Sequence, residues 1–221
     1  MKRSKLLTII LSVVTALFIL SVSIAVPILF RPFYYMQIES LKLEEQTGLA
    51  REQIVTAYDE MLNFCIGITE EFSTGVLEWS ESGRAHFVDV KGLFLLDLRI
   101  ALLTGVILIL CKGLKKRVNV RQYRFCGKGS GFWGSIGLGV TFLIVGVLGA
   151  IDFDKAFEIF HKIFFQGKDN WIFDYETDQI IAILPEAFFR NCAILVLVFI
   201  FLLCVGFIIT DFRKSLIKNV E

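Results

Sequence analysis

Residues 6–30 read LLTIILSVVTALFILSVSIAVPILF, a continuous apolar stretch without a single charged side chain. A helix of about 20 such residues crosses the hydrocarbon core of a bilayer. The stretch follows Lys2, Arg3 and Lys5 and so resembles the opening of a signal peptide. It is too long for the apolar part of such a peptide, however, and it lacks a convincing small-residue cleavage site. We therefore predict an uncleaved first membrane span.

Three further stretches have the same character, and they lie at 93–111, 132–151 and 188–210. The chain of 221 residues is 55% hydrophobic and only 20% charged, which is too apolar for an ordinary soluble domain. We predict a single integral membrane domain over 1–221. The expected fold class is an all-α membrane protein, a four-transmembrane-helix bundle with a small extracellular cap of amphipathic helices, with or without short strands.

The basic residues indicate how the chain is oriented. They gather at the N-terminus, in the 112–128 connection and after the fourth stretch: Lys2, Arg3, Lys5, Lys112, Lys115, Lys116, Arg117, Arg121, Arg124, Lys128, Arg213, Lys214 and Lys218. Cytoplasmic connections of membrane proteins carry an excess of lysine and arginine. We therefore expect a multi-pass protein of the cell membrane with both termini in the cytoplasm. The segments 31–92 and 152–187 then form the extracellular cap.

Two parts of the predicted cap have helical periodicity. Apolar residues recur at helical spacing across roughly 50–66, which predicts an amphipathic helix. A second helix, over 153–164, has phenylalanines on one face and polar residues, His161 among them, on the other. A short helix of this design is expected to lie in the membrane interface with its aromatic side toward lipid. Trp171 and the aromatic residues after it extend this aromatic belt.

Several motifs of soluble enzymes are missing from the sequence. It has no G-x-S-x-G elbow, no H-E-x-x-H and no phosphate-binding P-loop. Residues 129–134, GSGFWG, match a dinucleotide-binding pattern literally but open a membrane span, where glycines favour close helix packing, as do Ser135 and Gly139. Of five cysteines only Cys65 falls in a predicted outer segment, so no disulfide framework is expected there. Nothing indicates nucleic-acid binding.

The only two histidines, His86 and His161, both fall in the predicted cap near the depth of the lipid headgroups. Histidine can gain and lose a proton near neutral pH, which makes the pair a candidate for acid–base catalysis. Each could instead be an ordinary polar residue of the interface. Glu158-x-x-His161 and His86-x-x-Asp89 could also hold a metal, but a di-metal site needs further carboxylates. We expect no metal.

Asp97 and Arg99 lie just inside the outer end of the second predicted span. A charge at that depth costs a few kcal/mol on insertion scales, so such residues are usually functional or paired. The alternatives here are a functional role, an ion pair with a neighbouring helix, or side chains that reach back toward the headgroups.

Two segments together resemble a known family. Residues 82–91, SGRAHFVDVK, lead into a span, and residues 160–165, FHKIFF, are followed by Trp171, Phe173, Asp178, Leu184-Pro185-Glu186 and Phe188-Phe189. This pattern is similar to the signature of the lipoprotein intramolecular transacylase (Lit) family, four-helix membrane proteins of Gram-positive bacteria. The resemblance covers essentially the whole chain, including the predicted topology, and is densest at 82–97 and 157–189.

The resemblance implies an acyltransferase that moves the sn-2 acyl chain of a diacylglyceryl lipoprotein to the α-amino group of its N-terminal cysteine. The product is the lyso-form lipoprotein. Donor and acceptor belong to one molecule, so no acyl-enzyme and no cofactor are expected, and the partners are the lipoprotein and the bilayer. The family's essential histidines correspond to His86 and His161. We expect His161 to be the acid–base nearest the amine, and His86 to stabilise the oxyanion or protonate the alkoxide.

Other polar or aromatic residues are candidates to support the histidines or bind substrate: Arg84, Asp89, Lys91, Asp97, Arg99, Glu158, Trp171, Asp178 and Glu186. Among them, Arg84 and Lys91 are expected to bind the oxyanion or the glycerol, and Asp89 or Glu158 to fix a histidine tautomer. Two other functions remain open from sequence. One is a non-enzymatic sensor or assembly factor, and the other is a metal-dependent membrane hydrolase.

Overall fold

A computed structural model describes the backbone of residues 2–114 and 120–217. Four of the basic residues used to predict the orientation, Lys115, Lys116, Arg117 and Lys218, lie outside the described residues. In chain order the elements are β1 (Lys2–Ser4), α1 (Lys5–Leu29), α2 (Pro32–Ser40), α3 (Leu43–Thr47), α4 (Arg51–Cys65), α5 (Glu81–Gly113), β2 (Val120–Gln122), α6 (Ser130–Ile151), α7 (Phe153–Phe164), a 3-10 helix (Gln179–Ile183) and α8 (Glu186–Ile217).

Four of these helices, α1, α5, α6 and α8, are long and apolar enough to cross a membrane. This confirms the predicted fold class, an all-α membrane protein with four spanning helices. The depth at which each helix meets the bilayer stays a prediction. Helix α5 begins at Glu81, so the segment around His86 is helical and continuous with the predicted second span.

Contacts divide the chain into two compact units. The first, which we call the span unit, comprises residues 1–24, 98–147 and 196–221. Its core centres on Ile19, Ile200 and Cys204. Strands β1 and β2 pair in parallel within this unit. The Thr8 hydroxyl donates a hydrogen bond to the Tyr123 carbonyl at 2.8 Å, so this strand pair is fixed to the start of α1.

Small residues allow α6 to pack closely against its neighbours in the span unit. A Cβ atom on Gly134 would lie 2.4 Å from the Ser12 carbonyl oxygen, which no side chain tolerates. The predicted contact residues Ser135 and Gly139 also lie at packed positions. Ser135 is buried, and a Cβ on Gly139 would lie 3.9 Å from the Cys204 sulfur. The tightest approach is thus at Gly134, the last glycine of the GSGFWG stretch.

The second unit, which we call the cap unit, comprises residues 25–97 and 148–195, all of which are described. The helix predicted across roughly 50–66 is confirmed as α4, and it buries its apolar side. Tyr34 and Tyr58 stack with ring centroids 3.6 Å apart, and the Tyr34 hydroxyl donates to the Ile183 carbonyl at 2.9 Å. Within the cap unit the structure has helices and loops but no strand.

Candidate active site

The two histidines meet in the cap unit. His86 comes from α5 and His161 from α7, and their ring centroids lie 5.9 Å apart with an interplanar angle of 28°. Both are buried, with 5% and 7% of their surface exposed. The sequence pattern predicts His161 among the exposed polar residues of its helix, and the structure shows that this is wrong, because His161 is buried. Phe157, His161 and Phe165 are spaced four residues apart, which puts them on one side of α7 and its C-terminal end, facing inward.

Aromatic rings surround His86. The Phe165 ring lies 4.7 Å from it and also 5.5 Å from the His161 ring, so Phe165 contacts both imidazoles. Phe173 meets His86 edge-on at 5.3 Å. These rings exclude water from the pair, and a low dielectric disfavours the charged form of an imidazole. The site therefore favours two neutral histidines at rest.

His161 is stacked on the indole of Trp171, with centroids 4.9 Å apart and 29° between the planes. Its Nδ1 lies 2.8 Å from the carbonyl oxygen of Phe157. A carbonyl can only accept, so Nδ1 carries a proton and donates it, and Nε2 of the neutral ring keeps its lone pair. Burial lowers the pKa of His161, and the bond to the Phe157 carbonyl partly opposes that. His161 is therefore a neutral base with a fixed reactive nitrogen.

His86 lies on the part of α5 that precedes the predicted span. Burial, and next the proximity of His161, lower its pKa to about 4, with a smaller contribution from Lys168. Asp89 and a hydrogen-bonding contribution from Asn170 act in the opposite direction. The Nδ1 atom of His86 is buried and has no hydrogen-bond partner in the part of the chain that the structure describes. His86 is thus neutral at physiological pH.

Asp89 anchors the loop that follows α7. Its carboxylate accepts from Lys168 Nζ at 2.6 Å and from Asn170 Nδ2 at 3.1 Å. Burial alone would raise the pKa of Asp89, but these two donors together lower it, so the carboxylate stays ionised. The Trp171 indole N–H donates to the Lys168 carbonyl at 3.0 Å. One short segment therefore brings Lys168, Asn170 and Trp171 to the histidines.

Asp178 fixes the start of α5. It is 3% exposed and accepts from both the backbone N–H and the hydroxyl of Ser80 at 2.9 Å. A Cβ on Gly83 would lie 2.0 Å from the Asp178 carboxylate, so only glycine fits there. Glu78 and Gln179 add two hydrogen bonds of 3.0 Å between the same segments. Asp178 therefore sets where α5 begins, about one and a half turns before His86.

Two of the predicted oxyanion or glycerol partners contact other parts of the cap unit. Arg84 is exposed and pairs with Glu81 at 3.4 Å. Lys91 donates to the Thr69 carbonyl at 3.2 Å and lies 4.2 Å from the centre of the Phe64 ring. Both thus hold local structure on α5, and the structure does not bring them to the histidine pair.

The carboxylate of Glu158 is not the hydrogen-bond partner of His161 Nδ1. It pairs with Lys162 on the exposed side of α7, so the tautomer of His161 is set by a backbone carbonyl and not by this carboxylate. Glu186 is exposed at the start of α8, beside Asp154.

The two charged residues predicted inside the second span fall in different units. Asp97 ends the first segment of the cap unit and is half-buried. Arg99 belongs to the span unit and is exposed.

The sequence analysis did not identify Asn170 and Lys168 as candidate site residues. Asn170 is 81 positions away from Asp89, in a loop without periodicity, and no spacing rule connects them. The helical pattern could have suggested Phe165, which lies four residues after His161. In the described residues no group of three or more His, Cys, Asp or Glu side chains is placed to hold a metal ion.

The sequence and the fold match a known family. The family model "Lipoprotein intramolecular transacylase Lit" matches residues 9–189. The chain belongs to the Lit family. It is therefore a lipoprotein intramolecular transacylase, an acyltransferase integral to the membrane. A comparison with curated protein sequences gave no significant match.

Solved structures of a Lit protein share this fold. The membrane integral lipoprotein intramolecular transacylase Lit from Bacillus cereus is 28% identical, with a TM-score of 0.83, and the match covers 97% of this chain and 96% of that one. Two variants of that protein, in which a histidine is replaced by arginine or by alanine, match with TM-scores of 0.73 and 0.71, each at 26% identity. The arginine variant is matched over 97% of this chain and 92% of its own, and the alanine variant over 96% and 94%.

Proposed function

We propose that this chain moves the sn-2 acyl group of a diacylglyceryl lipoprotein to the α-amino nitrogen of the lipoprotein's N-terminal cysteine. The ester C–O bond breaks, a C–N amide bond forms, and one proton passes from nitrogen to the glycerol oxygen. The observation that carries this proposal is the pair of buried imidazoles with centroids 5.9 Å apart. One neutral imidazole can take the proton from the nitrogen and return it to the oxygen, while the second, beside it, orients the amine.

His161 is the proton carrier in this proposal. An α-amino group has a reference pKa of about 7.7–8.0 and must be neutral to attack. As the nitrogen attacks the ester carbonyl, Nε2 of His161 accepts its proton, because Nδ1 is already committed to the Phe157 carbonyl. The resulting imidazolium is stabilised by the stacked Trp171 ring. It then donates the same proton to the leaving glycerol oxygen.

For His86 we propose a role other than oxyanion stabilisation or protonation of the alkoxide, the two roles expected from the sequence. Burial lowers its pKa to about 4, so at neutral pH His86 is not an imidazolium and is a much weaker acid toward an alkoxide than the charged ring would be. A neutral ring with a lone pair can instead accept a hydrogen bond from the amine and direct the nitrogen lone pair at the ester. Positioning of two reacting groups within one molecule can lower a barrier by roughly 7–11 kcal/mol. His86 is thus the group that orients the amine beside His161.

An acyl-enzyme is not needed for this reaction, and the surroundings of the histidines agree with that. Neither histidine hydrogen-bonds a serine, threonine or cysteine side chain in the cap unit. Cys65 lies on α4 with its sulfur 3.8 Å from that of Met61, and burial raises the pKa of its thiol to about 12. A thiol in that state is a poor nucleophile.

Helix α7 is suited to bring lipid chains to the histidines. Its outer side carries Ile159, Phe160, Ile163 and Phe164, each about half exposed, while His161 faces inward. We place this apolar ridge in the outer leaflet, with the cap unit extracellular and both termini cytoplasmic, following the basic connections. The acyl chains of a membrane-anchored lipoprotein would then lie at the depth of the site.

The proposal is tested by a crossover experiment in vesicles that contain the purified protein. Two diacylglyceryl lipopeptides are supplied together, differing in both peptide sequence and acyl-chain mass. Mass spectrometry should find each peptide N-acylated with its own original chain and carrying a monoacylglyceryl group. Exchange of chains between the two peptides, or products that have simply lost an acyl chain, would refute intramolecular transfer.

A further inference from the structure

We propose, on the basis of the proposed function, that Asn170 is the positioning residue that holds His86 in the tautomer with its proton on Nδ1. The residue acts between the carboxylate of Asp89 and the imidazole of His86. In this proposal its effect on the reaction is exerted through His86.

The orientation of the Asn170 amide follows from its hydrogen bond to Asp89. An ionised carboxylate only accepts hydrogen bonds, so the group 3.1 Å from Asp89 Oδ2 must be the amide NH₂. The ion pair with Lys168 at 2.6 Å keeps Asp89 ionised and in place. The carbonyl oxygen of Asn170 is then directed away from Asp89. Lys168, Asp89 and Asn170 form a chain in which each member fixes the next.

Two buried polar atoms remain at the end of this chain, and they are complementary. Oδ1 of Asn170 and Nδ1 of His86 both lie out of contact with solvent and lack an ordinary hydrogen bond among the described residues. The two side chains are neighbours, because Asn170 donates to Asp89, which lies one helical turn after His86 on α5. The next residue, Trp171, stacks on His161, whose ring lies 5.9 Å from that of His86. An unsatisfied buried polar group costs about 1–3 kcal/mol, so a small adjustment that joins these atoms is favourable. Joining them requires the proton of His86 on Nδ1, and it leaves Nε2 with its lone pair.

The amide also explains how a carboxylate can orient His86 without charging it. A carboxylate bonded directly to an imidazole favours the imidazolium. Here Asn170 separates the two groups, and Asp89 is balanced by Lys168. The charged and titratable groups around His86 are Asp89, Lys168 and His161. The arrangement thus provides orientation while His86 stays neutral beside His161.

Nitrogen-15 NMR of the full chain, labelled at histidine and purified without a histidine tag, tests this inference. His86 and His161 are the only histidines, so a His161→Gln variant assigns both signals. At neutral pH we expect His86 to carry its proton on Nδ1. Asn170→Ala should populate both tautomers, as should Asp89→Asn, which frees the amide to rotate. A His86 protonated on Nε2 in the unaltered protein would overturn the inference, and so would an unchanged spectrum in Asn170→Ala.

Asn170→Asp separates positioning from a merely structural role. Aspartate at this position would share one proton with the Asp89 carboxylate 3.1 Å away and would keep an acceptor oxygen beside His86, so we expect the Nδ1 tautomer to persist. Loss of that tautomer in this variant would contradict the proposed contact. Asn191→Ala is the matched control, because Asn191 also donates from its amide, to Gln37 at 2.6 Å, away from the histidines. It should leave the histidine signals unchanged.

Activity provides a second readout. Asn170→Ala should lower kcat by roughly tenfold to a hundredfold with little change in KM, as loss of an outer hydrogen-bond partner does for metal-binding histidines. An unchanged kcat would count against the inference. The tautomer is read without substrate, so failure of the acyl-transfer proposal would leave this result standing. Conversely, a His86 that carries its proton on Nε2 would overturn the role of Asn170 and would leave the acyl-transfer proposal standing.

Discussion

Nδ1 of His161 donates a hydrogen bond to the carbonyl oxygen of Phe157, one helical turn earlier, at 2.8 Å. This backbone contact needs no second charged residue, and it leaves Nε2 as the reactive atom. Trp171 covers one face of the same ring. Together these two contacts fix the orientation of the His161 ring, and the one to Phe157 comes from the backbone of α7 itself.

Replacing Trp171 by leucine should lower the pKa of His161 and slow the reaction. A ring stacked on a cation stabilises it by about 0.5–2 kcal/mol, and 1.36 kcal/mol corresponds to one pKa unit. Because the stacked ring favours the protonated form, its loss should move the acidic limb of the kcat/KM profile to lower pH. Trp171→Phe keeps a ring but loses the indole N–H, so a smaller shift is expected there. Equal shifts in the two variants would assign the effect to the hydrogen bond instead.

Gly83→Ala should destabilise the protein and reduce activity. Its new methyl group would overlap the Asp178 carboxylate, whose hydrogen bonds to Ser80 fix the start of α5. Overpacking of this kind typically costs about 1–3 kcal/mol. Gly92→Ala on the same helix is the matched control, because a methyl group there meets nothing within 4 Å. Thermal unfolding in detergent should separate the two, and equal melting temperatures would contradict the role of Asp178.

Gly134→Ala should separate α6 from α1 in the span unit. The added Cβ would lie 2.4 Å from the Ser12 carbonyl oxygen, an atom of a helix backbone that cannot move alone. Gly137→Ala, three residues later on α6, adds a methyl group in open space. We expect a lower melting temperature in the first variant only. If both variants have the melting temperature of the unaltered protein, α6 does not approach α1 closely at Gly134, and the prediction is wrong.

Cys65→Ala should leave acyl transfer nearly intact. Its thiol is buried against Met61, and its raised pKa keeps it protonated at neutral pH. Removal of a small buried side chain should lower stability modestly, which the melting temperature will report. Loss of all activity in a folded Cys65→Ala protein would favour a route through an acyl thioester.

Much of the fold could be predicted from the sequence because its strongest signals are local. Four apolar stretches and the phenylalanine period of α7 each lie within one segment, and all five helices are present. The sequence could not predict that the side chain of His161 is buried, because His161 lies at the border between the aromatic and polar sides of α7. Packing against Trp171 and Phe165 decides on which side it falls.

The candidate site was predicted in part. The two histidines were singled out as the only ones in the chain, and the structure brings them together. The supporting residues were harder to predict, because long-range contacts leave no period in the sequence. Asp178 acts on Ser80, and Asn170 on Asp89, across loops of irregular structure. Arg84 and Lys91, although next to His86 in sequence, are turned to other partners by the helix.

The most direct test of the two-histidine proposal is mass spectrometry of a lipoprotein N-terminal peptide from cells that otherwise make only diacylglyceryl lipoproteins. Cells with the unaltered protein should yield the lyso-form. His86→Ala and His161→Ala should each yield only the diacylglyceryl form, although both proteins insert in the membrane and melt normally. General acid–base catalysis contributes about 10²–10⁴-fold, so the loss should be clear. Unaltered amounts of lyso-form from both variants would contradict the proposal.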